Sequence, residues 1–389
     1  MSYQSMEEAK LRGEKENIPF WKAIQLEDAQ ERDVKIEDSW EKMKYMWQSM
    51  LDALDAYEPD KVSRSGLVGT EGGLMDSYRE TKEPLCGDFV AKVMSNALKM
   101  GCNNACMKRI VAAPTAGACG VLPAVLVTYY KEYNVPEEKV IEAMYVAAGL
   151  GQIIANRAYL AGASGGCQAE IGSGSGMAAG AICYIKGGDT DQIGHACAMA
   201  LKNLMGLVCD PVGGLVEVPC VKRNVGGAVN ALAAADMALA GITSKIPVDQ
   251  VIDAMKEVGD KMDVSLRETG IGGVAGTPAA QEVVEKLWDV AQATSPFKRA
   301  LFLNWCYENK RVLYRIIVAQ DRINRTNRCT NSECYCIWHS KQTGRNGKRS
   351  KCIEHCLPGI SCRISDTDSA DDSDIGIHRL RKNRIQNNE

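Results

Sequence analysis

The chain has 389 residues, 46% hydrophobic and 24% charged, with a formal net charge of −3. That balance describes a globular chain of one or two domains with material for a sizeable core, and it excludes whole-chain disorder. Near-neutrality gives no chain-wide attraction for nucleic acid or an acidic membrane, so neither is expected as a partner.

Aromatic residues make up only 6% against 36 glycines, so the core must come from small and aliphatic side chains, which favours closely approaching helices. The first seventeen residues are too charged to contain the apolar region of a secretory signal, and a cytoplasmic protein is expected. Trp40, Met43, Trp47, Met50, Leu51 and Leu54 recur at helical spacing behind Asp38 as N-cap, with Glu41 three positions on. The longest uncharged run, Ile110 to Tyr130, is interrupted by Pro114 and Pro123 and reads as a buried element rather than a membrane span. Around 136–150, Pro136 suits the first helical position, Glu137 and Glu138 favour the positive end of the helix dipole, and Val140, Ile141, Met144 and Tyr145 form a stripe. Residues 247–258 repeat that design, from Pro247 to a stop at Gly259. No alternation of strands and no βαβ rhythm is present. The expected fold is therefore mainly α, a bundle of buried small-residue helices.

Between the helices lie glycine-rich, nearly uncharged segments, Gly69 to Gly73, Ser164 to Gly176, Val212 to Leu215 and Thr269 to Gly276, where backbone can approach a ligand closely. Near residue 320 the composition turns to Lys, Arg, Asn and Ser. Residues 1–292 are therefore assigned to one domain, which the resemblance described below implies is catalytic, 293–319 to a helical extension or linker, and 320–389 to a Cys-rich basic tail expected to be disordered.

Sixteen cysteines in a cytoplasmic chain should stay reduced, which makes them thiols or metal ligands rather than a disulfide framework. Cys167, Cys209 and Cys220 stand in or beside the glycine-rich segments, where thiolates from different elements can converge on a metal. Spacing alone leaves a second reading open, that they are small buried hydrophobes.

Five segments together resemble the α subunit of iron-sulfur-dependent L-serine dehydratase: KVSRSGL at 61–67, VAAPTAGACGVLP at 111–123, GCQAEIG at 166–172, LKNLMGLVCDPVGGLVEVPCVKRN at 201–224 and RETGIGG at 267–273. The likeness runs in one order from about residue 5 to 290. It implies a [4Fe-4S] cluster on Cys167, Cys209 and Cys220, with three protein ligands leaving one iron open as a Lewis acid, and dehydration of L-serine to pyruvate and ammonia without net redox change. Among residues that could touch substrate are Lys222, Arg223 and Asn224 after the third cysteine, and the hydroxyls Ser63, Ser65, Thr115, Ser173 and Ser175; a solvated basic face and backbone-capping hydroxyls are the alternative readings. His195 falls inside an expected helix, 191–205, and reads as structural.

The family pairs this module with a β module carrying a Ser-Ser-His-Thr motif, which this sequence lacks, so a separate β subunit and a hetero-oligomer are expected. Gly270 to Ala275 fits G-x-G-x-x-A without a preceding strand, and no lysine motif for pyridoxal phosphate is recognisable, so neither a dinucleotide nor pyridoxal phosphate is expected. The nearest rival activity is an iron-sulfur L-cysteine desulfidase. A reading of another class rests on the tail, where Cys336 with His339 and Cys352 with His355 could hold zinc beside a basic flank facing nucleic acid.

Overall fold

The computed structural model describes residues 3–293, with side chains to residue 287. The expectations for the 293–319 linker, apart from its first residue, and for the Cys-rich tail, including its zinc pairs and basic flank, lie outside these residues. Among the described residues there is no β-strand, only one isolated parallel bridge between Cys209 and Arg267. The mainly α expectation is met.

Three amphipathic helices open the chain: α1 (Met6–Glu16), α2 (Phe20–Arg32) and α3 (Ile36–Asp55). The tryptophan-methionine stripe of α3 buries Trp47 and Met50, with Trp47 edge-on to Tyr130 at 5.3 Å between ring centroids. The helix starts earlier than the capping pattern predicts. Lys35 occupies the cap position with no side-chain cap bond, and Asp38 lies in the first turn with Glu37, where both carboxylates complement the helix dipole. After α4 (Glu71–Thr81) and α5 (Gly87–Ala105), the long uncharged run divides into a loop and the buried start of α6 (Val121–Tyr133). No helix of the described residues is long and apolar enough to cross a membrane.

The centre of the bundle is α7 (Glu137–Arg157) against α9 (Ser173–Ile185), with α10 (Thr190–Asn203) and α11 (Cys220–Leu239) packed on α9 in turn. Their surfaces carry so little side chain that backbones approach closely. A Cβ on Gly151 of α7 would fall 2.9 Å from Met177 Sδ, and one on Gly176 of α9 would fall 3.0 Å from Cys197 Sγ. Large side chains would hold these helices apart.

Pro136 and Pro247 each sit one position earlier than expected, as cap residues of α7 and of α12 (Val248–Lys261). Gly259 departs further from the reading: it does not stop α12 but lies buried within its last turn. A Cβ there would come 3.0 Å from Gly165 Cα and 3.3 Å from Gln168 Nε2. The glycine is required by close contact with the segment that carries Cys167, not by a change of backbone direction. The chain ends its described part in α13 (Pro278–Ala293).

Gly259→Val should therefore act as overpacking, destabilising the protein by about 1–3 kcal/mol in urea unfolding. Wild-type stability in this variant would refute the contact as a constraint.

Candidate functional site

The site is assembled from α8 (Gly162–Gly165), a π-helical turn (Gln168–Gly172), the loop 204–219, the first turn of α11 and the loop 262–277. Cys167 directly precedes the π-helical turn, following Gly166 at φ +79°. Gly166 must be glycine twice over, because a Cβ would also meet the backbone oxygen of Leu207 at 2.8 Å. Cys209 is fixed by backbone on both sides: its N–H donates to Leu266 O at 2.8 Å and its carbonyl accepts from Glu268 N at 2.6 Å. Cys220 opens α11, where the positive end of a helix favours a thiolate. All three thiols are buried, at 1%, 3% and 6% exposure.

Gln168 joins these pieces. Its Nε2 donates to Gly165 O at 2.9 Å and to Met255 O at 3.0 Å, its Oε1 accepts from Gly206 N at 2.8 Å, and its own N–H donates to Leu207 O at 2.9 Å. The π-helical turn, α12 and the approach to Cys209 thus share one buried side chain.

The electrostatics are those of a pocket crowded with acidic groups, against which Arg223 stands as a cation. Cys167 Sγ, Cys209 Sγ and a Glu170 carboxylate oxygen lie within 4.8 Å of one another. Arg223 donates to Cys167 Sγ at 3.4 Å and to Val208 O at 2.8 Å, and pairs with Asp210 at 2.8 Å. The hydrogen bond with Cys167 and then burial push the Cys209 thiol up; burial first, then the charges of Cys167 and Glu170, push up that of Cys220. Burial raises the Glu170 carboxyl to about 7, against the lowering effect of the Thr115 hydroxyl, which donates to its Oε1. Arg223 is held above its usual value despite burial, through Cys167 and Asp210. A cation placed among these groups would reverse the penalty on the thiolates.

Residues 15–275, more than half the chain, match the family described as Serine dehydratase alpha chain. The chain belongs to that family. It is 46% identical over 252 residues to the probable L-serine dehydratase alpha chain of Bacillus subtilis, an alignment covering 65% of this chain and 84% of the relative. It is 42% identical over 242 residues to the L-serine dehydratase alpha chain of Peptoniphilus asaccharolyticus, covering 60% and 82%. The L-serine dehydratase of Streptomyces coelicolor is also 42% identical, over 182 residues, covering 46% of this chain but only 40% of the relative. Membership supports an enzyme of the lyase type.

Within this serine dehydratase α chain the polar candidates separate. Arg223 faces the thiols, whereas Lys222 is exposed and pairs with Glu71 at 2.8 Å. Asn224 is buried and holds backbone: its Oδ1 accepts from Gly120 N, and its Nδ2 donates to Gly117 O and Cys220 O. Ser63 and Ser65 both donate to Glu217 Oε2. Thr115 reaches Glu170, Ser175 donates to Gly227 O at 2.7 Å, and the buried Ser173 hydroxyl has no hydrogen-bond partner among the described residues. His195 lies half-buried within α10.

The sequence reading assigned no role to Gln168, Glu170 or Glu217. A signal existed for the two carboxylates. Glu170 is the only charged residue from 158 to 185, and Glu217 the only one from 211 to 221. A lone charge in a run that must be buried is costly, and its presence points to a partner or a task.

Gln168→Leu should remove the three side-chain bonds and leave the Gly165 carbonyl and the Gly206 N–H without this partner, lowering stability by roughly 2–4 kcal/mol. Urea unfolding measures this, and a loss below about 1 kcal/mol would show that the clamp is dispensable.

Proposed function

We propose that this chain is the α subunit of a cytoplasmic L-serine dehydratase, which converts L-serine to pyruvate and ammonia with a [4Fe-4S] cluster held by Cys167, Cys209 and Cys220. A separate β subunit completes the hetero-oligomer, and pyridoxal phosphate takes no part. The observation that carries this reading is the approach of the buried Cys167 and Cys209 thiols to each other, with Arg223 donating to Cys167 and the buried Cys220 thiol near enough to feel the charge of Cys167, in a chain of the serine dehydratase α family. The activity for which the relatives are named favours serine over cysteine as substrate, and their naming as α chains favours a separate partner.

The residues present fit such a cluster. The donors are soft thiols, each buried, and Gly162 lets the Cys209 sulfur lie directly against the backbone, since a Cβ there would stand 2.6 Å from Cys209 Sγ. When bound, a cluster with three protein ligands supplies a Lewis-acidic iron that can bind the serine hydroxyl and carboxylate and make hydroxide a better leaving group. The reaction removes water from serine, and the resulting enamine, after tautomerising to the imine, takes up water to release ammonia and pyruvate.

The chain's own residues set up that chemistry. Arg223 donates to Cys167 Sγ and offsets the sulfur's negative charge, while Asp210 keeps the guanidinium aimed. Arg223 supplies positive charge for the substrate carboxylate, whereas Lys222 is exposed and engaged by Glu71. Ser63 and Ser65 order the 61–67 loop through Glu217, Thr115 fixes the direction of Glu170, and Asn224 positions the first turn of α11.

Protein purified without oxygen should be brown, and Cys167→Ala, Cys209→Ala and Cys220→Ala should each lose most of the visible absorption. Retention of a full cluster by all three would refute the ligand set. Turnover of L-serine, assayed with the β partner, should fall in air and return with ferrous iron and reductant, because an iron open to substrate is open to oxidants. Full activity in an iron-free sample loaded with pyridoxal phosphate would overturn the mechanism.

A further inference from the structure

We propose that the cluster-free chain binds one thiophilic divalent cation, zinc foremost, between Cys167 Sγ, Cys209 Sγ and a Glu170 carboxylate oxygen, and that this single ion blocks cluster assembly. The second half rests on the cluster reading above; the first does not.

A four-coordinate zinc bound at about 2.3 Å to sulfur and about 2.0–2.2 Å to oxygen needs its donors within about 4 Å of one another. The three donor atoms already lie within 4.8 Å, so closure takes side-chain adjustment and no backbone rearrangement. Cys220 Sγ is not in that group, although its thiol feels the charges of Cys167 and Glu170. The geometry therefore divides the cysteines two and one, as a single ion would use them.

Each donor is held from behind. The Cys209 backbone is fixed on both sides by the 262–277 loop, Cys167 precedes the clamped Gln168, and Glu170 stands on the π-helical turn with Thr115 donating to its Oε1. A hydroxyl on the ligating carboxylate and a guanidinium on the ligating sulfur are the outer contacts that orient metal ligands and restrain the sulfur's charge. Space is reserved as well. A Cβ on Gly162 would lie 2.6 Å from Cys209 Sγ and 3.2 Å from Glu170 Oε2. Three protein ligands leave a fourth position for water.

Two thiolates and a carboxylate carry three negative charges, and a dication offsets two of them beside Arg223. Binding displaces the protons of the thiols to solvent, with no change of oxidation state. Zinc is preferred over ferrous iron at such sites by the general order of affinities, which makes it the competitor that an assembling cluster meets.

The test uses the full chain, stripped of metal under reductant and titrated with Co²⁺, whose thiolate charge-transfer and tetrahedral visible bands report ligation. Cysteine and histidine elsewhere bind alike in all variants and cancel in the comparison. Cys167→Ser and Cys209→Ser should each lose one cobalt equivalent relative to wild type, Glu170→Gln should weaken that equivalent at least about tenfold, and Cys220→Ser should keep it. Thr115→Val, a milder change, should weaken it without loss of the fold by circular dichroism. Loss of the same equivalent in Cys220→Ser, or its retention in Cys167→Ser, would overturn the site.

Wild-type protein loaded with one equivalent of Zn²⁺ should then fail to gain the iron-sulfur absorption on incubation with ferrous iron and sulfide. Full gain in the loaded protein would overturn the blocking role. If no absorption appears even without zinc while the cobalt pattern holds, the cluster reading and the blocking role fall and the single-ion site stands.

Discussion

The three side-chain bonds of Gln168 are the constraint on which the site depends. The cysteines come from three separate stretches of chain, and no short C-x-x-C hairpin holds any two of them together. Convergence must therefore come from tertiary packing. One buried amide links the turn after Cys167, the end of α12 and the run leading to Cys209, and Gly259 lets α12 come close enough for that link. An amide suits this task because it donates and accepts at once without carrying charge into a pocket already crowded with acidic groups.

Charge is the second constraint. Burying thiols and a carboxylate together raises their proton affinities, and Arg223 is the cation that touches a site sulfur among the described residues. Its two other contacts, Asp210 and the Val208 carbonyl, keep it from leaving for solvent. Asp210 also accepts from Val274 N at 2.6 Å, so the acid that aims the guanidinium anchors the 262–277 loop too. Glu268, in the same loop, holds a left-handed backbone at φ +61°, a conformation that a non-glycine residue keeps only when its surroundings impose it.

Much of the fold was legible because helical periodicity is a local property. The stripe at Trp40, Met43 and Trp47, and the prolines 136 and 247 at helix starts, mark their elements within a residue or a few. Gly259 was misread for a physical reason: a glycine near the end of a helix looks the same in sequence whether it turns the backbone or admits a neighbour. The site cysteines stood out through the motifs around them, and the lone charges Glu170 and Glu217 were there to be noticed. Gln168 had no such mark. Its value lies in reaching three groups at once, 3, 38 and 87 residues away in sequence, and no linear pattern encodes that.

Asn224 gives the architecture a mechanical property. Its amide grips Gly120 and Gly117 on one side and the carbonyl of Cys220 on the other, all through backbone atoms, while Thr115 two residues before Gly117 holds Glu170. Backbone atoms cannot rotate away as side chains can. The loop bearing Thr115 and the helix end bearing Cys220 are therefore tied to each other through backbone, so that a displacement of one is resisted by the other.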